Sequence, residues 1–256
     1  MNRQRALAVL LCTAVLASCG SKQLQDITGP LPSVRVKFFH FGVNAPGVNF
    51  YANTAKLTAI SSTSGAESVT GTVYGSAGSG GFYSALAPGQ YALTGKIAAA
   101  TDKDLAISTV TATLAGGKNY SFYLSGFYDP TAKTVEGFVV EDAFDAAIDY
   151  SVASVRFVHA ISNANPMTLY AKNTTTGAEV SVGAAVAYKG AGAFTALPAG
   201  VYDLSTRYAG SATNVSSLAS VSFSAGRVYS IGARGDITVT SATATNRPLL
   251  NNTANR

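Results

Sequence analysis

The chain has 256 residues, 47% hydrophobic and only 12% charged, with 18 basic and 13 acidic side chains, two cysteines and no tryptophan. The lysines and arginines stand singly rather than in a stripe, so composition argues against a nucleic-acid footprint. Two cysteines in a chain of this length exclude a disulfide framework, and stability must come from a packed core.

Residues 1–18 read as a secretory signal: Arg3 and Arg5 supply the charged end, Ala6 to Val15 the apolar run, and Ala17 and Ser18 the small residues before a cut. The run is too short to span a bilayer, which takes about 20 apolar residues. An ordinary signal peptide or an uncleaved anchor helix are the competing readings. Leu16-Ala17-Ser18-Cys19 resembles the lipobox of bacterial signal peptidase II. That resemblance implies lipidation of Cys19 by fatty acids such as palmitate, and two or three chains hold a protein at a membrane durably. Gly20 after the cysteine resembles the pattern sorted to the outer membrane of Gram-negative bacteria. Cys12 would leave with the leader, as would Arg3 and Arg5, giving 16 basic against 13 acidic side chains. With Cys19 acylated, no thiol is left for a disulfide, a zinc site or a nucleophile. Residues 19–32 are polar, carry Pro30 and Pro32, and read as a tether reaching at most roughly 45 Å.

From residue 33 the chain repeats itself. Val36-Lys37-Phe38-Phe39-His40 returns as Val155-Arg156-Phe157-Val158-His159, an offset of 119, shared by Tyr51-Ala52 and Tyr170-Ala171. Leu86 to Leu93 returns at Leu197 to Leu204, and Gly117-Lys118-Asn119-Tyr120 at Gly226-Arg227-Val228-Tyr229. Two repeats are expected, 33–149 and 150–245, the first enlarged by a Ser/Gly-rich loop at 57–81, with 246–256 as a disordered tail. Val, Thr, Tyr and Phe in short alternating runs, broken by Gly, Pro and Asn, predict an all-β fold. The Leu-x-x-Gly-x-Tyr segments suit Ig-like or prealbumin-like antiparallel β-sandwich domains in tandem. One short helix is the exception considered, at 141–150.

Val155 to Ala160, Leu197 to Tyr202 and Ala225 to Tyr229 resemble three segments of the bacterial domain-of-unknown-function family numbered 4397. The first repeat departs from it, with Lys37 for the arginine and Pro88 moved by one place. The resemblance implies a secreted or lipid-anchored β-sandwich, often in tandem, whose function is unsettled.

His40 and His159 share strand faces with Val36 and Phe38, and with Val155 and Phe157, so each is expected in a core, bonded to backbone. Glu141, Asp142, Asp145 and Asp149 gather at the junction of the repeats. On a helix, Glu141, Asp145 and Asp149 would share a face and could offer oxygens to calcium. The calcium-loop spacing is absent, and a solvated linker is the plainer reading. Asp102 and Asp104 read as a hairpin tip. The glycines of 75–81 match no phosphate loop, no nucleophile elbow is present, and no cofactor is expected. A distant pair of carboxylates for glycoside hydrolysis is not marked out by any pattern. Among the aromatics, Tyr123, Phe127 and Tyr128, with Tyr74 and Tyr83 beside the long loop, are candidates for an exposed patch that takes glycan or protein. The expectation is a non-enzymatic, envelope-anchored binding, adhesion or assembly module. A polysaccharide hydrolase and a purely structural spacer are the alternatives.

Overall fold

β1 (Val34–His40) explains the architecture, because its two faces enter different cores. Val34, Val36 and Phe38 point into the first repeat, where Phe38 stacks on Phe50 at 5.1 Å and meets Phe122 edge-on. Lys37 and Phe39 point the other way and are also buried. A strand covered on both faces reads as a nearly continuous apolar run, as Val-Lys-Phe-Phe does.

The computed structural model describes residues 33–58 and 68–256. The first repeat continues with β2 (Val48–Ala52), β3 (Ala55–Lys56), β4 (Ser76–Ala77), β5 (Ser84–Leu86), β6 (Gly89–Ile97), β7 (Ala106–Leu114), β8 (Asn119–Asp129) and β9 (Thr134–Glu141). The second holds β10 (Val152–His159), β11 (Met167–Asn173), β12 (Glu179–Val186), β13 (Gly190–Ala191), β14 (Thr195–Pro198), β15 (Gly200–Tyr208), β16 (Ser216–Phe223), β17 (Val228–Arg234) and β18 (Leu249–Ala254). Strand for strand the connectivity is the same. Each repeat has a four-stranded sheet, β3-β2-β6-β7 or β12-β11-β15-β16. Each also has a five-stranded one, β4-β1-β8-β9 with β5 beside β1, or β13-β10-β17-β18 with β14 beside β10. The fold is all-β sandwich, and most pairings are antiparallel; β1 with β8 and β10 with β17 run parallel.

In both repeats the Leu-x-x-Gly-x-Tyr tyrosine reaches back over the turn, Tyr91 Oη donating to Ala87 O at 2.9 Å and Tyr202 Oη to Pro198 O at 2.8 Å. Residues 101–104 form the expected hairpin tip, with Asp102 and Asp104 at positive φ.

The two five-stranded sheets lie face to face. Phe39, Phe41, Tyr123 and Phe138 of the first repeat form one buried cluster with Val158 and Ala160 of the second. Phe39 stacks on Tyr123 at 4.5 Å, and Tyr123 on Phe138 at 5.0 Å. Gly232 on β17 permits this approach: a Cβ there would fall 2.7 Å from Phe41 Cε2. The result is four stacked layers.

Three expectations change. Residues 246–256 are no tail: β18 pairs with β17 over six residues, and Leu250 enters the second core. Residues 142–151 are irregular, with a bend at 146–147 and a turn from 150, rather than a helix. Within the 57–81 loop, the described part contains β4 and a 3₁₀ turn at Gly78–Gly81; residues 59–67 lie outside the described residues, as do Cys19, the leader and the tether through residue 32.

Candidate functional site at the junction of the repeats

Between the inner sheets lies a polar layer arranged about a pseudo-two-fold axis. The ladder registers make Lys37 equivalent to Arg156, Ser121 to Ser230, Asp142 to Asn255, and Tyr83 to Phe194. The cation-to-carbonyl, cation-to-Asx and cation-over-ring contacts each occur twice with the repeats exchanged, as in an isologous dimer. Arg156 Nη1 donates to Glu141 O at 2.8 Å and its Nη2 to Asp142 Oδ1. Lys37 Nζ donates to Ala254 O and, at 3.2 Å, to Asn255 Oδ1. Lys37 Nζ sits 4.4 Å from the Tyr83 ring centre, and the Arg156 guanidinium 4.8 Å from that of Phe194.

The partners of these groups are local. Asp142 Oδ2 accepts from Tyr83 Oη at 2.6 Å and from Ser121 Oγ at 2.8 Å. Ser230 Oγ accepts from Arg156 Nε at 2.9 Å and from Asn255 Nδ2 at 2.7 Å. A buried cation and carboxylate compensate each other's lost hydration only when so bonded. Among the described residues no carboxylate bonds Lys37, and desolvation lowers its pKa to about 8, with Asp142 opposing and Arg156 pushing the same way as burial. Burial raises Tyr83 and Tyr123 well above the ordinary phenol value, so both hydroxyls stay protonated.

A second pair of ties flanks the layer. Tyr188 Oη donates to Glu136 Oε2 at 2.5 Å and lies 2.9 Å from Ser125 Oγ. At the equivalent place Tyr74 takes the Arg234 guanidinium over its ring at 4.6 Å, and its hydroxyl is buried without a hydrogen bond.

His40 and His159 occupy the core as expected: Nε2 lies 2.9 Å from Pro46 O in one and 3.2 Å from Asn165 O in the other, and burial lowers both pKa values. The four junction carboxylates do not converge. Glu141 pairs with Lys118 at 2.9 Å, Asp142 with Arg156, and Asp145 and Asp149 each accept the backbone N–H two residues on. Among the described residues no three His, Cys, Asp or Glu side chains gather as metal ligands. The aromatic patch is dispersed as well. Tyr123 is buried between the sheets, Tyr128 packs on the first core, Tyr74 and Tyr83 are half-buried, and only Phe127 is exposed.

What stands out instead is Phe82, 76% exposed, with Val69 at 77% and Val73 at 48% on the same loop. Phe82 borders two grooves. One, of about 650 Å³, has Lys37 and Tyr83 on one wall and Asn251 and Thr253 of β18 on the other. The other, of about 930 Å³, is lined by Asn49, Lys56, Thr72 and Val73. No described carboxylate lines either. Lys37 and Arg156 carried a signal in the sequence, a cation at matching positions of an apolar strand; Phe82, in a glycine-rich stretch, carried none.

Residues 153–255 match the family model DUF4397, a domain of unknown function. The DUF4397 match spans nearly all of the second repeat, with Arg156, Phe194, Ser230 and Asn255 inside it. No curated protein matches the chain.

Proposed function

We propose that the chain is a tandem of DUF4397-type repeats, held to a bacterial envelope through lipidated Cys19, that serves as a non-enzymatic binding, adhesion or assembly module. The outer membrane of a Gram-negative cell is the favoured site. The matching topology of the repeats supports the tandem reading, since β1 to β9 and β10 to β18 connect alike. One observation carries the binding reading: Phe82 stands exposed between two grooves on a rigid β-scaffold. An aromatic face beside amide and hydroxyl side chains suits a glycan or a polar protein segment.

A hydrolase would need one carboxyl held protonated opposite another. Asp145 and Asp149 share a shallow groove, but Ser151 lowers the pKa of Asp149, the reverse of what a proton donor needs. The test is retention of envelope glycans and envelope proteins by the chain, wild type against Phe82→Ala. Phe82→Ala is expected to abolish retention with less than about 0.5 kcal/mol effect on stability, as for an exposed surface site. Equal retention by both would remove the loop from consideration. Cys19→Ala is expected to release the protein from membranes and end labelling by a fatty-acid probe.

A further inference from the structure

Lys37 and Asn255 hold the first strand of the chain against its last. The amine and the carboxamide are both buried, 2% and 8% exposed, and Nζ already donates to the Oδ1 of that amide. We propose that this pair closes into an intramolecular amide bond between Lys37 Nζ and Asn255 Cγ.

The chemistry needs no partner from outside. The neutral amine attacks Cγ, the new C–N bond forms as the Cγ–Nδ2 bond breaks, and ammonia leaves carrying a proton lost by the amine. Atoms and electrons balance without oxidant or reductant. Three features of the site favour the step. Proximity is prepaid by the fold, which can replace a large part of the entropic barrier of a bimolecular reaction. Burial outweighs the opposing charge of Asp142, the Arg156 charge adds to it, and together they favour the unprotonated amine, the nucleophilic form, lowering its pKa to about 8. A hydroxyl stands at the leaving side, Ser230 Oγ lying 2.7 Å from the nitrogen that departs.

The pseudo-two-fold mate of this pair is inert. Arg156 remains a cation in any protein environment, and Asp142 carries no amide nitrogen that could leave. The bond therefore forms at one of the two equivalent places.

The test compares the full chain with its Lys37→Met and Asn255→Ala variants. The wild-type mass is expected to fall short of the value inferred from either variant by one ammonia. Its digest should contain a branched peptide joining the segments around Lys37 and Asn255, and it should run faster than both variants on a denaturing gel. Lys56→Met, at an exposed lysine, should keep the link. The branched peptide is read in the wild type itself, so poor folding of a variant does not blur the result. A wild-type digest with Lys37 and Asn255 free overturns the proposal. So does an ammonia deficit without a branch, the signature of a succinimide at Asn255.

Discussion

Arg156 meets Asp142 at one end of the junction; at the equivalent place across the axis Lys37 meets Asn255. Both cations are buried over an aromatic ring, and both bond a backbone carbonyl of the other repeat's last strand. The cation differs, and so does the acceptor. Where it is a carboxylate, the pair is charge-balanced and permanent; where it is a carboxamide, the ammonium lacks a counter-ion and the neutral amine becomes accessible. One duplicated geometry thus yields an ion pair on one side and a latent nucleophile on the other.

The largest effect should come from breaking the charged side. Arg156→Met leaves Asp142 buried without its guanidinium, and about 3–5 kcal/mol of stability should be lost, measured by urea unfolding. If Arg156→Met together with Asp142→Leu unfolds as easily as the single variant, the ion pair is not what the single variant broke.

Next comes pH, read on Asn255→Ala, whose amine stays free. In the unlinked wild-type geometry the folded pKa of Lys37 is about 8, below the 10.5 of a free lysine, and the burial that lowers it remains in the variant. Between those values the unfolded chain holds a proton that the folded chain has released, so stability climbs as pH rises through that window. The gain is capped at about 3 kcal/mol and reduced by solvent screening. Tyr83, Tyr123 and Tyr188, all raised by burial, reverse the slope above pH 10. The linked wild type should lack the rise below pH 10, because an amide nitrogen does not titrate there. An equal rise in both proteins would contradict the link.

The smallest contrast is between the flanking tyrosines. Tyr188→Phe removes hydrogen bonds to Glu136 and Ser125 and should cost about 1–2 kcal/mol. Tyr74→Phe removes a buried hydroxyl that has the Arg234 guanidinium nearby but no hydrogen bond of good geometry among the described residues, and should be near neutral by thermal unfolding. Equal costs would mean that ring packing, not hydrogen bonding, holds both.

The all-β class, the recurring strand order and the two core histidines were legible because turn chemistry, β-propensity and strand alternation are local signals. Tyr123 was misread for a physical reason: alternation tells which residues share a face, but not that a second repeat covers the face opposite the core. The same blindness hid β18. Leu-Leu-Asn-Asn-Thr-Ala has poor strand propensity, and part of what holds it comes from across the junction, Asn251 donating to Gly75 O and Asn255, just after the strand, accepting from Lys37. The i, i+4 spacing of Glu141, Asp145 and Asp149 was accidental, since Asp142 between them turns inward to Arg156 and breaks any helix face.

The placement of β1 has a mechanical consequence. It is flanked by β4 and β5 on one side and β8 on the other. A force along the axis of β1 loads the hydrogen bonds on both of its edges in shear. They share the load and must fail together, whereas a strand at the rim could be peeled away one bond at a time. A protein hung from its N-terminal end would meet drag or adhesion with the part of its sheet best placed to resist it.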